Sequence, residues 1–383
     1  MHSTRREFLI DSASAAAAFL PAAFSQQALS GSRLIGTVPL GNPGGFTTPP
    51  FGRLLGSGLD ARLFTDLSVL AAEQPQTLVT PTDRFFVRTA CPAAIERTDP
   101  WTIAVGGLVR TAADVDLNTL TPLVARGGRY LIECSGNVDQ SNYGLMSAAD
   151  WDGVPFGALL DRIGPAAGSH RVLVSGVDDD RSAARTSVAG ASWVFGRSDL
   201  EHAILATRMN GAPLPRDHGF PVRLIVPGWY GCACIKWVNR VEIVPNVPAT
   251  TQMREFAART HQKGTPVLAR DFAPAVIDTA AMPVRVEKWS AGGRIFYRVA
   301  GIVWGGSKPT NALSIRFKSG DMWTRVDDCP LPASTLTWSL WSHVWRPAAP
   351  GRYQIVLRVD DPAIRTRRLD IFFYVRDVQI DEV

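Results

Sequence analysis

The stretch Arg129-Tyr130-Leu131-Ile132-Glu133-Cys134-Ser135-Gly136-Asn137 sets a cysteine where an apolar run breaks into small, turn-forming residues. A strand that ends at Cys134 and turns through Ser-Gly-Asn can present its sulfur to a cavity, and a thiolate is a soft metal ligand. Taken alone, the segment leaves a plainer reading open, because a free cysteine usually serves as a small buried apolar group. Five cysteines in 383 residues are too few for a disulfide scaffold, and their odd number leaves at least one free or bound to something else.

A second segment changes that balance. It runs Met209-Asn210-Gly211-Ala212-Pro213-Leu214-Pro215-Arg216-Asp217-His218-Gly219-Phe220-Pro221-Val222-Arg223, then through Pro227-Gly228-Trp229-Tyr230-Gly231 to Ile235-Lys236-Trp237. With the cysteine turn, these motifs strongly resemble the sulfite-oxidase family of molybdopterin enzymes. The resemblance holds motif by motif over residues 80–245 and more loosely over 260–383, which looks like the family's dimerisation domain. It implies that Cys134 is the thiolate ligand of molybdenum, in a bound molybdenum-molybdopterin cofactor. It also implies that Phe86, Val87, Arg88, Asp178, His218, Arg223, Cys234, Ile235 and Lys236 contact the pterin, with the cations on its phosphate. Arginine forks suit phosphate oxygens, and lysine acts as a point charge.

Four departures from the family pattern fall beside the expected substrate pocket. The arginine expected five positions after the cysteine is Asp139, and the tyrosine of an R-[DE]-Y turn is Phe256 in Arg254-Glu255-Phe256. The V-R-N-H of the family reads Val87-Arg88-Thr89-Ala90, and the run before Lys236 lacks its usual arginine, reading Cys232-Ala233-Cys234. Setting a carboxylate near a dianion costs on the order of 1–4 kcal/mol. Compensation would fall to Arg88 or to Lys308, which follows Trp304-Gly305-Gly306. The expected catalytic set is therefore Arg88, Cys134, Asp139, Phe256 and Lys308, and the changes fit a less anionic or larger substrate. Cys232 and Cys234 read as small packing residues, since no second pair completes a metal site and a disulfide across one residue would be strained. Cys91 and Cys329 read as structural or free.

The elements that must position these residues are short. Strand-like runs fall at 85–88, 101–106, 130–134, 172–177 and 222–226, with helical candidates at 115–120, 155–163 and 199–207. This predicts an α+β fold: a mixed α+β molybdopterin-binding domain over 76–248. Beyond it, alternating β-branched and aromatic runs at 285–303, 312–318, 335–346, 352–359 and 369–380 predict an immunoglobulin-like β-sandwich over 262–383. Residues 26–75, rich in Gly, Pro and Ser, read as an extended arm with a short helix near 60–72.

The start, Ser3-Thr4-Arg5-Arg6-Glu7-Phe8-Leu9-Ile10 before an Ala-rich stretch, resembles a twin-arginine export signal over 1–25. Such signals carry proteins folded before transport, which predicts a periplasmic enzyme with a bulky cofactor and no membrane span in the mature chain. The formal charge of +5 and pI near 9.1 are mildly basic, but no dense cationic face suggests nucleic acid. The one tight basic run, Arg365-Thr366-Arg367-Arg368, reads as a solvated strand or turn.

By resemblance the reaction is a two-electron oxygen-atom transfer at molybdenum. No Cys-x-x-Cys-His haem signature occurs, so electrons are expected to reach a separate partner such as a c-type cytochrome, and the C-terminal domain implies a homodimer. Three functions remain open: oxidation of sulfite or another small sulfur compound, reduction of S- or N-oxides, and cofactor binding without turnover.

Overall fold

The computed structural model describes residues 31–43, 50–72, 78–92, 95, 100–137, 143–166, 168, 171–178, 191–371 and 374–383. The predicted export signal and Asp139 lie outside the described residues. Within them the chain is mostly sheet, with two short α-helices, Phe156–Ile163 and Thr251–Glu255. No helix among the described residues is long and apolar enough to cross a membrane.

Four sheets carry the fold. The cysteine turn ends the edge strand of one: Ala125–Glu133 pairs antiparallel with Met146–Pro155, which pairs with Ile204–Met209, and that strand also holds Arg223–Ile225. The Cys134 and Arg223 segments are thus placed by one sheet. A second sheet orders Ala113–Asp116, Thr102–Gly107, Val238–Val244, Arg171–Gly176 and Ser192–Gly196, and so brings Lys236, just before its central strand, beside Asp178 at the end of a neighbour. The helix Phe156–Ile163 buries Phe156, Leu159, Leu160 and Ile163, an i, i+3, i+4, i+7 stripe, and ends on Gly164 at φ 60°.

The other two sheets hold the C-terminal residues and share one apolar core. Arg33–Val38, Ala280–Ala291, Arg294–Trp304 and Ser339–Trp345 form the first; Thr324–Arg325, Leu313–Arg316, Gly351–Val359, Arg376–Ile380 and Leu40–Gly41 form the second. The arm is therefore not free of the body: its two strands complete both C-terminal sheets. Leu131, Met146 and Tyr230 reach into the same core, so the cysteine-bearing sheet packs directly on the C-terminal pair.

Several expected elements differ. Residues 199–207 form a short 3-10 turn, Ser198–Leu200, and then the strand Ile204–Met209. Ile204, Leu205 and Ala206 are all buried because that strand sits inside a sheet, and a run apolar on every face does not reveal its period. The helices expected near 60–72 and 115–120 are 3-10 turns, Gly58–Asp60, Leu67–Ala71 and Leu117–Leu123. The strand expected at 85–88 is a single bridge from Val87 to Leu63. The run 285–303, by contrast, breaks where its Gly292-Gly293 pair signals a turn, as a hairpin of two strands.

Candidate active site

Cys134 follows the last residue of its strand, and its N–H donates to the Leu145 carbonyl at 2.9 Å. The turn closes on the sulfur: Gly136 N–H donates to Sγ at 3.3 Å, and Asn137 N–H to the Cys134 carbonyl at 2.8 Å. Asn137 then locks the turn to both flanks, accepting from Leu145 N–H at 3.0 Å and donating to Glu133 Oε1 at 3.2 Å. A Cβ at position 136 would lie 3.0 Å from Arg259 Nη1 and 3.5 Å from the sulfur, so a side chain there would crowd both groups. Burial pushes the Cys134 thiol up, while Arg88, the Gly136 N–H and Arg259 draw it down. A cation arriving at the sulfur would supply the charge that makes it a thiolate.

Behind the turn, Glu133 is fully buried. Arg367 donates to its two carboxylate oxygens at 2.7 and 2.6 Å, and Trp304 Nε1 donates to Oε2 at 2.9 Å. The guanidinium also donates to the Tyr374 hydroxyl at 2.8 Å and lies 5.4 and 5.7 Å from the ring centroids of Tyr230 and Trp304. This corrects the reading of the basic run as solvated. Arg365 and Arg368 are 69% and 72% exposed, but the Arg367 side chain is 4% exposed, because a buried carboxylate in the neighbouring sheet requires a partner.

Phe86 and Val87 are buried; Phe86 N–H donates to Ser147 Oγ at 3.0 Å, and Phe85 packs edge-on to Trp151 and His218. That wall carries Arg88 to the sulfur's surroundings, where its Nη1 donates to the Leu59 carbonyl at 2.9 Å and its charge acts on Cys134.

The remaining cations gather in a second nest. Arg223 donates to the carbonyls of His218 at 3.2 Å and Cys234 at 3.1 Å, with its guanidinium 5.3 Å from the Trp151 ring centroid. Lys236 Nζ donates to the carbonyls of Asp217, at 3.0 Å, and Thr89. Ile235 ties the same segments, its carbonyl accepting from Leu224 N–H at 2.8 Å, and Cys234 Sγ accepts from Val226 N–H at 3.5 Å. Burial, then Lys236 and Arg223, pushes His218 down to about 3, so its ring is neutral at ordinary pH. Burial pushes Arg223 down to about 10; burial and then Arg223 push Lys236 down to about 7, against the pull of Asp178 and Asp217. Asp178 is buried at the nest's rim, and a Cβ at Gly176 would meet the Lys236 carbonyl at 2.2 Å, so only glycine lets the two strands close there.

Arg223 and Lys236, two cations held next to each other beside the His218 ring, could hold an anion between them. Arg223 Nε is buried with no hydrogen-bond partner, a further donor left for a ligand. The residues present therefore fit a pterin phosphate in the nest and a soft metal at the sulfur.

The structure thus groups Arg88 with Cys134, and His218, Arg223, Cys234, Ile235, Lys236 and Asp178 with one another. Phe256 caps the Thr251–Glu255 helix, its ring centroid 6.0 Å from the Arg259 guanidinium. Lys308 stands exposed on the loop after Arg294–Trp304, and it is not among the charges that act most strongly on Cys134 or Arg88. Sequence reasoning missed Glu133, Arg367 and Arg259. A charged residue inside the apolar run 130–134 signalled a buried partner, though not which one. All five cysteines are free, and no group of three or more His, Cys, Asp or Glu among the described residues is placed to hold a further metal.

Residues 89–251 match the family model described as the oxidoreductase molybdopterin binding domain. The chain is 26% identical to chicken (Gallus gallus) sulfite oxidase over 324 residues, covering 76% of this chain and 69% of that protein. It is 28% identical to mitochondrial sulfite oxidase of Mus musculus over 282 residues, 61% of this chain and 50% of that one, so it spans about half the length of the mouse relative. Inducible nitrate reductase [NADH] 1 of Glycine max is 33% identical over 185 residues, 43% of this chain and 20% of that protein. Among solved structures, the sulfane dehydrogenase SoxCD from Paracoccus pantotrophus has the same fold, with a TM-score of 0.62 at 18% identity, covering 86% of this chain and 88% of that one.

Proposed function

Since the chain belongs to the sulfite-oxidase family of molybdopterin-dependent oxidoreductases, we propose that it oxidises a small sulfur compound by a two-electron oxygen-atom transfer. The observation that carries this reading is the pairing of one turn-held thiol, Cys134, with a nest of His218, Arg223 and Lys236 in which the buried Arg223 keeps a donor to spare. When bound, molybdenum-molybdopterin would supply a two-electron redox centre with an exchangeable oxygen.

The chain's own residues bind and orient. Cys134 would hold the metal, with Gly136 N–H fixing the direction of the sulfur. Arg223 and Lys236 would take the pterin phosphate, while His218, neutral and packed on Phe85, offers a ring nitrogen without adding charge. Phe86, Val87 and Trp151 wall the space and lower its dielectric, which strengthens each of these contacts.

Oxidation of sulfite to sulfate draws its oxygen from water and releases two protons and two electrons. We assign those electrons to a separate carrier, a c-type cytochrome, and the protein to the periplasm as a homodimer. The support is the twin-arginine-like start around Arg5-Arg6 and the resemblance of 260–383 to a dimerisation domain.

Metal and pterin analysis of the purified protein beside Cys134→Ser tests the reading. Stoichiometric molybdenum in the wild type, its loss in the variant and unchanged circular dichroism are expected. A wild type without molybdenum, or a fully loaded variant, overturns it. Steady-state assays with sulfite and oxidised cytochrome c, against a sulfoxide and a reduced viologen, then separate oxidase from reductase.

A further inference from the structure

We propose that Arg259 is a specificity-determining residue of the substrate pocket, receiving the oxyanion end of an anionic sulfur substrate together with Arg88. The inference rests on Cys134 being the metal thiolate and extends that reading to the class of substrate.

Arg259 sits in the 3-10 turn Ala258–Thr260, straight after the Thr251–Glu255 helix. The platform is firmly held. Thr260 Oγ1 donates to the Phe256 carbonyl at 2.9 Å, and Gln262 exchanges hydrogen bonds with the Ala273 backbone at 2.9 and 2.8 Å. Ala257 and Thr260 are buried, whereas Arg259 between them is exposed. Its Nη1 lies 3.0 Å from the point a Cβ on Gly136 would occupy, directly over the turn whose N–H touches the Cys134 sulfur.

Two guanidiniums thus approach the sulfur. Arg259 acts electrostatically on both Cys134 and Arg88, and among the described residues it forms no ion pair. Like charges held close by rigid backbone repel, and an anion between them relieves that repulsion. A forked donor also matches an oxyanion's geometry better than a point charge does.

Phe256 gains a purpose in this arrangement. The phenyl that replaces a hydroxyl donor lies beside Arg259, with its ring centroid 6.0 Å from the guanidinium carbon. The donor lost at position 256 is offset by a cation three residues later on the same platform. This revises the expectation of a less anionic substrate, and it takes the compensating role from Lys308, which stands exposed on a different loop.

The test uses loaded enzyme with sulfate as the probe, read by its effect on the Mo(V) electron paramagnetic resonance signal and by competition against sulfite. Arg259→Gln is expected to weaken sulfate binding about tenfold, roughly 1.4 kcal/mol, at unchanged molybdenum content. Arg259→Lys is expected to recover most of that loss. Unchanged sulfate affinity in Arg259→Gln overturns the proposal, as does a wild type indifferent to sulfate. Loss of molybdenum from Arg259→Gln also overturns it, by assigning the residue to the cofactor instead. A wild type without molybdenum is a separate outcome: it defeats the thiolate reading, and the proposal with it.

Discussion

Glu133 and Arg367 form a two-pronged ion pair, 2.7 and 2.6 Å, joining the residue before Cys134 to a loop of the C-terminal sheets. Both side chains are buried, at 0% and 4% exposure. A buried ion pair adds little net stability, since desolvation consumes most of its attraction. Its effect here is positional: Glu133 also accepts from Asn137, whose side chain closes the cysteine turn.

Arg367→Met strands a carboxylate in a dry site and should destabilise the protein by about 3–5 kcal/mol. Adding Glu133→Gln to it should restore much of that loss, because the uncompensated charge is gone. Urea unfolding of the two single variants and the double variant checks this, and additive losses would show that the pair is not the unit.

The Lys236 ammonium makes anion binding depend on pH. Burial and Arg223 hold its folded pKa at about 7, against about 10.4 unfolded. Between those values the unfolded chain keeps a proton that the cofactor-free fold releases, so through this group the stability of the cofactor-free protein rises with pH. An anion in the nest draws the proton back. Inorganic phosphate should therefore bind the cofactor-free protein with proton uptake, and more weakly at pH about 9 than about 7.5. Calorimetry in buffers of different ionisation enthalpy reads that proton directly, and Lys236→Met should abolish it.

Thr250 caps the helix that leads to Arg259. Its Oγ1 accepts from Met253 N–H at 3.2 Å and donates to the Ser192 carbonyl at 2.7 Å. Thr250→Ala should cost about 1–2 kcal/mol in thermal or denaturant unfolding. Thr250→Ser, which keeps the oxygen, should lose far less.

What was legible in the sequence was local. Cys134, His218, Arg223 and Lys236 stand in short motifs whose neighbours determine their conformation, and the structure gathers the last three into one nest. Glu133 and Arg367 are 234 positions apart, and no local pattern couples them. Within Arg365-Thr366-Arg367-Arg368 the chain turns one guanidinium inward and two outward, so composition alone made the run look uniformly solvated. Arg259 escaped notice because its relevance lies in reaching Gly136 from another element. Strand Ile204–Met209 read as helix because burial on both faces hides the alternation that would have revealed it.

The arm strands carry a consequence for the order of synthesis. Arg33–Val38 pairs with Ala280–Ala291, and Leu40–Gly41 with Arg376–Ile380, where Arg376 reaches Asn42 across 334 positions. These strands leave the ribosome long before either partner exists. Until then their backbone groups have only water or the wrong edges to bond, and such distant pairings form slowly. Arg376–Ile380 closes over Leu40–Gly41, so a ribosome that stalls before Arg376 releases a chain whose second C-terminal sheet cannot be completed.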